Sequence, residues 1–185
     1  MKRKAHYARQ IRRAAHLLFY KHHRKPGVKG WELKRRLGVD YPKVLQVLDR
    51  HLEKLDLQVK TVFDGEKTPS EPTGEQLDKA RFFIALRGGL TPKETKMMGW
   101  RIDDIAGLAT SISYIMSKKG KASRDEVEKL LRNKLPGWRV GANLDRYIRY
   151  GYLAEDENRQ MYLDWRTRAE IDQKALVDLL LRAEE

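Results

Sequence analysis

The hydrophobic positions at the start of the chain keep a helical period and then switch to strict alternation. Tyr7, Ile11, Ala14 and Leu18 recur at helical spacing over residues 7–20, while Arg9, Arg13, His16 and Tyr20 fall on another face, which predicts an amphipathic helix with a basic flank. Lys25-Pro26-Gly27 stops it, and residues 31–37 read as a short second helix ended by Gly38. A third helix opens at Asp40 or Tyr41, with Pro42 in the first turn where a missing N–H is harmless. It carries Val44, Val47, Leu48, Leu52 and Leu55 at helical spacing. Leu57, Val59, Thr61 and Phe63 then alternate with Gln58, Lys60 and Val62, as a half-buried strand does. A polar stretch containing Pro69, Pro72 and Gly74 leads to a second apolar run over residues 81–87, so two strands flank a long loop. Pattern alone leaves open whether residues 75–87 are strand or helix.

The same order returns after Gly88-Gly89, which reads as a hinge. Thr91-Pro92-Lys93-Glu94 is a helix start, with a capping Thr, Pro at the first helical position and Glu three residues after the cap. Asp103 or Asp104 opens a longer helix carrying Ile105, Leu108, Ile112, Ile115 and Met116. Ser123-Arg124-Asp125-Glu126 is a second capping box, whose helix runs to Lys134, and residues 142–150 make a third helix closed by Gly151. Residues 152–154 and 161–163, joined by Asp156-Glu157-Asn158-Arg159, form a second hairpin, and residues 167–183 a last helix with Ile171, Ala175, Leu176, Leu179 and Leu180. Helix, short helix, helix and hairpin is the order of a winged helix-turn-helix. The expected fold is therefore mainly α with small β-hairpin wings, a tandem winged helix-turn-helix. Residues 1–89 form its N-terminal winged helix with a basic arm, and residues 90–185 the C-terminal one.

Composition sharpens this picture. With 41% hydrophobic and 35% charged residues, a chain of 185 residues has enough apolar material for one domain or two small ones, and a large multidomain enzyme is ruled out. There is no cysteine, which excludes disulfide frameworks, cysteine-ligated zinc and iron–sulfur sites, and thiol catalysis. A reducing, intracellular location is expected, cytoplasmic and associated with the nucleoid. No apolar run reaches the length of a membrane span, and the basic start reads as an arm, not as a targeting signal.

The net charge of +13 is local. Residues 1–36 hold 13 Lys and Arg against Glu32 alone, whereas residues 37–185 hold 26 basic and 25 acidic residues. A solvated face accounts for scattered charge. A block of this kind concentrates positive potential, and its usual partners are polyanions. Nucleic acid is favoured over anionic lipid because the apolar side of the segment is needed for a core.

The residues also carry a family likeness. Leu17-Leu18-Phe19-Tyr20-Lys21, followed by Lys25-Pro26, Lys29 and Glu32-Leu33-Lys34, resembles the opening of the MAGE-homology domain. Residues 165–172, with Trp165, Arg168, Ala169 and Asp172, resemble that family's Trp-Gly-Pro-Arg-Ala segment and the helix after it, with Arg166-Thr167 in place of Gly-Pro. Between them, Gly107-Leu108 through Ile115, Lys119-Gly120 and residues 123–127 look like the start of the family's second winged helix. The resemblance implies the kite class of tandem winged-helix subunits, which bind the kleisin linker of SMC chromosome-organising complexes and in some cases DNA.

Within a winged helix the third helix normally enters the major groove and the wing lies on the backbone. Here the third helix mixes Lys43, Arg50, His51 and Lys54 with Asp40, Asp49, Glu53 and Asp56. Asp64, Glu66, Glu71, Glu75 and Asp78 in the first wing, and Glu155, Asp156 and Glu157 in the second, repel phosphate. The candidate nucleic-acid-binding residues are instead Lys2, Arg3 and Lys4 of the arm, Arg9, Arg12 and Arg13 of the first helix, and Lys34, Arg35 and Arg36 of the second. Such contacts position a protein without reading bases, so salt-sensitive binding to double-stranded DNA with little sequence preference is expected. Arg139, Arg146 and Arg149 either form a second site or pair with Asp145 or Glu155. Trp100, between helices after Gly99, is the candidate anchor for a protein partner, whereas aromatic residues at helical or strand positions are usually core.

No cofactor and no metal are expected. His22-His23 point to different sides of a helix, and Asp103-Asp104 and Asp125-Glu126 sit where acids favour the helix dipole. The reading is thus a non-enzymatic protein with a DNA partner and a kleisin-like or SMC protein partner. The alternative is a homodimeric regulator or nucleoid protein with a seam such as residues 168–183. A nuclease would need a catalytic constellation that the chain does not display.

Overall fold

In the computed structural model, the description covers residues 2–21, 27–63, 69–89, 91–97, 99–172, 174–176 and 178. His22 and His23 lie outside it. The chain divides into two compact units, Met1–Gly89 and Leu90–Glu185. Both are mainly helical with one small antiparallel sheet.

In the first unit, α1 (Lys2–Lys21) is followed by β1 (Val28–Lys29), α2 (Gly30–Leu37) and α3 (Tyr41–Leu52). A 3-10 turn (Glu53–Leu55), β2 (Leu57–Val62), α4 (Gly74–Lys79) and β3 (Arg81–Leu86) complete it. The strands pair in the order β1-β3-β2. Ala14 and Leu18 of α1, Leu33 and Leu37 of α2, Val44, Leu48 and Leu52 of α3 and Phe82 of β3 close one core.

Three expectations are corrected here. The basic arm is not a separate arm, because α1 is helical from Lys2. Lys, Arg and Ala are good helix formers, and nothing between Lys2 and Tyr7 interrupts them. Leu55 is exposed, since the chain tightens into a 3-10 turn after Leu52 and leaves the face that α3 buries. The stretch between the strands is not all loop, and residues 75–87 are both helix and strand. Thr73 and Gln76 form a reciprocal capping box that starts α4, and β3 begins two residues after α4 ends.

α4 docks on α2. Gly30 N–H donates to the Ala80 carbonyl (2.8 Å), Lys29 Nζ to the Lys79 carbonyl (2.7 Å), and Lys34 Nζ pairs with Asp78 (2.6 Å). The approach is so close that a Cβ on Gly30 would stand 1.9 Å from the Leu77 carbonyl oxygen, which is backbone and cannot swing away. Gly30→Ala is therefore expected to destabilise the protein by about 1–3 kcal/mol. Gly141→Ala, in a helix with open space around the new methyl, is expected to stabilise it by about 0.5–1 kcal/mol. Urea midpoints of the two variants, moving in opposite directions, check this.

The second unit repeats the helix, strand, helix, helix, strand, strand order, without a counterpart of α4 and with an extra helix at each end. After α5 (Pro92–Met97), whose start is capped by Thr91 and Glu94, come α6 (Ile102–Ser117), β4 (Lys121–Ser123), α7 (Arg124–Arg132) and α8 (Gly137–Arg149). β5 (Leu153–Glu155), β6 (Gln160–Leu163) and α9 (Trp165–Glu170) follow. The strands pair β4-β6-β5. Leu108, Ile112 and Ile115 of α6, Val127 and Leu131 of α7, Leu144 and Tyr147 of α8, and Leu153 and Met161 of the sheet make its core. The capping box of Ser123 and Glu126 forms in both directions.

The expected long last helix is not continuous. α9 starts at Trp165 under an Asp164 cap and stops at Ile171, whose backbone is extended. The Asp172 carboxylate then accepts the N–H groups of Lys174 and Ala175, which restarts the helix on a new N-cap. Residues 168–183 are thus not one unbroken helix, and Leu179 and Leu180 lie outside the described residues.

Candidate nucleic-acid interface

α1 buries Ala14 and Leu18 and half-buries Ile11, Ala15 and Leu17, which turns Arg9, Arg12 and Arg13 to solvent. None of these three forms an ion pair among the described residues. Tyr7, expected on the apolar face, is half exposed, as is Phe19, and Tyr20 is 72% exposed. Lys2, Arg3 and Lys4 occupy the first turn, which holds no acidic residue, so cations stand at the positive end of the helix dipole. Their side chains lie outside the described ones.

The trio on α2 divides. Lys34 is held by Asp78 across to α4, Arg36 Nε pairs with Glu32 Oε1 at 3.3 Å, and the Arg35 guanidinium lies over the Trp31 ring at 5.5 Å. Arg13 and Arg36 come together around a cleft of about 460 Å³ between α1 and α2, with His16, Leu17 and Tyr20 as its other walls. Sequence reasoning had the stripe Arg9, Arg13, His16 and Tyr20 but not the cleft. Arg36 comes from α2, far along the chain from Arg13, and the periodicity of α1 does not encode that approach.

In the second unit several of the charges are engaged with one another, while Arg149 is exposed and forms no ion pair among the described residues. Arg124 reaches Glu155 and Asp145, both at 2.7 Å, and Glu128 at 3.0 Å. The acidic wing is tied down as well: Asp156 accepts the Tyr162 hydroxyl and the N–H groups of Asn158 and Gln160, and the Tyr162 bond is the main cause holding its carboxyl below the usual range.

Arg139 and Arg146 are paired, but not with Asp145 or Glu155. Arg139 bridges Asp103 and Asp104 at the start of α6, and Arg146 Nη1 lies 3.3 Å from Asp104, which also accepts from Asn143 Nδ2 at 3.0 Å. Both arginines are on α8, about two helical turns apart, and their partners are more than thirty residues away in sequence, so local charge patterning pointed to the wrong acids. Asp104 is 2% exposed. Two guanidinium groups facing the two carboxylates leave no net negative charge for a metal. No cluster of three potential metal ligands exists among the described residues.

The hydrogen bond from Arg101 and then that from Arg139 push the Asp103 carboxyl down to about 2. Because its folded-state value lies below the ordinary carboxylate range near ~4, the stabilisation is present above that range and lost as pH falls through about 2. The difference in urea midpoint between the wild type and Asp103→Asn is expected to shrink steadily from pH 4.5 to pH 2.

Trp100 is turned inward. Its ring stacks on Tyr147 (centroids 6.2 Å, planes 5° apart), meets the edge of Tyr152 and carries the Arg146 guanidinium at 4.2 Å. Trp31 and Trp138 are exposed, Trp138 by 81%.

Two units that share a helix, strand, helix, helix, strand, strand order once α4, α5 and α9 are set aside, the first displaying basic side chains that are unpaired among the described residues, define a mainly α-helical protein with small antiparallel sheets. No protein-family model matches the chain. No curated protein matches it either. Among solved structures it is similar to a chain of the "Nse1-Nse3-Nse4 complex", with a TM-score of 0.66 and 14% sequence identity over 94% of this chain and 75% of that one. At that identity the likeness is one of fold. Among the described residues no helix is long and apolar enough to cross a membrane.

Proposed function

We propose that this is a tandem winged-helix protein of the kite kind, without catalytic activity, that binds double-stranded DNA through α1 and the end of α2. Its second role is as a subunit of an SMC-type chromosome-organising complex. The observation that carries the DNA reading is the contrast in charge pairing. Arg9, Arg12 and Arg13 stand exposed and unpaired among the described residues, while Arg124, Arg139 and Arg146 are each held by carboxylates. Exposed like charges crowded on one helix repel one another, and a polyanion relieves that repulsion while releasing its counterions. The arginines reach phosphates and not bases, so the binding is sequence-indifferent.

The subunit reading is supported by the likeness to a chain solved within a three-protein assembly, together with the MAGE-like segments around residues 17–34 and 165–172. Its test is purification of the tagged chain from its native cells in the presence of nuclease. Recovery of an SMC ATPase or a kleisin-like linker is expected. Recovery of the chain alone would overturn the subunit reading and leave the DNA reading to be judged on its own.

A further inference from the structure

The cleft between α1 and α2 has a composition that duplex binding does not require. Its walls are two guanidinium groups, Arg13 and Arg36, one aliphatic side chain, Leu17, and an aromatic pair, His16 and Tyr20, set edge to face with centroids 5.6 Å apart and planes at 74°. A duplex backbone presents phosphates and sugars and offers nothing to stack on an exposed ring. An unpaired nucleotide offers both a phosphate for the arginines and a flat base for the ring. We infer that the cleft seats one nucleotide of a single strand, its phosphate between Arg13 and Arg36 and its base on Tyr20. This rests on the nucleic-acid reading above and deepens it.

The dimensions fit. About 460 Å³ is the size of a small-ligand site, and Arg13 and Tyr20, seven residues apart on α1, are separated along its axis by about 10 Å. The edge-to-face contact with His16 restrains the Tyr20 ring, which lowers the ordering cost when a base stacks on it. The ion pair with Glu32 engages Arg36 through Nε, one corner of a guanidinium that carries five N–H donors. The cleft also continues the stripe that begins at Arg9, so a strand leaving a duplex bound along α1 would pass directly into it. Any base can stack, hence the site selects unpaired strand over duplex without selecting sequence. An acidic peptide would use the arginines and ignore the ring.

The test uses the full chain and two fluorescein-labelled probes at fixed salt, a 15-nucleotide oligothymidine and a 15-base-pair duplex, read by anisotropy. Tyr20→Ala is expected to lower the affinity for oligothymidine relative to duplex about tenfold or more, and Tyr20→Phe, which keeps the ring, to preserve the wild-type ratio. Because Tyr20 is exposed, circular dichroism of both variants should match the wild type. An unchanged ratio in Tyr20→Ala would overturn the inference and leave the duplex reading intact. So would binding of polyglutamate tighter than that of oligothymidine at equal charge concentration and unaffected by Tyr20→Ala, which would mark the cleft as a site for an acidic peptide. Failure of the wild type to bind either probe would overturn both readings together.

Discussion

Replacing Arg9, Arg12 and Arg13 together by glutamine is expected to lower duplex affinity by roughly two to three orders of magnitude at 0.1 M salt and to flatten the slope of log K against log salt by about 2.7. Both figures follow from counterion release, since each phosphate contact contributes about 0.9 to the slope on double-stranded DNA. The fold should be untouched. The three side chains are exposed and unpaired among the described residues, and glutamine is as good a helix former as arginine within a few tenths of a kcal/mol. Lys129 and Arg132, both exposed on α7 of the second unit and the latter paired with Glu128, provide the control, and glutamine at both should leave the slope unchanged. Equal losses from the two sets of substitutions would mean that the charge acts through the whole molecule and not through α1.

The second large effect concerns stability. Asp104→Ala is expected to destabilise the second unit by about 3–5 kcal/mol, the usual consequence of removing one partner from a buried charge network. The carboxylate accepts from Arg139, Arg146 and Asn143, and Arg139 is itself largely covered, so its loss strands polar groups that water reaches poorly. Asp104→Asn keeps the shape and two lone pairs and should cost less. Trp100 reports the change directly, because Arg146 lies over its ring, and releasing that guanidinium alters the fluorescence of the folded protein. Duplex binding measured where the variant remains folded should be that of the wild type.

Much of this architecture was legible in the sequence because it rests on local chemistry. Pro42 in the first turn of α3, the boxes at Thr91 and Ser123, and the alternation through β2 each specify an element from a few adjacent residues, and each is present. α4 was not legible. It has only six residues, is too short to show a period, and is held by the backbone approach of Gly30 to Leu77 across more than forty positions. The break at Ile171 hides inside an apolar pattern that continues in phase on both sides, with only Asp172 to mark the restart. In the candidate interface, the exposed arginines of α1 followed from the helical wheel alone. The neutralisation of Lys34 by Asp78, the pairing of Asp104 with α8 and the meeting of Arg13 with Arg36 are tertiary, and depend on turns whose geometry the hydrophobic pattern does not carry.

The account rests most on α1 as a phosphate-binding helix, and the direct measurement is the affinity of the intact chain for two duplexes of unrelated sequence between 50 and 300 mM salt. Six phosphates neutralised give a linear plot with a slope of roughly −5, the same for both duplexes. A flat plot, or one duplex held a thousandfold tighter than the other, would contradict it.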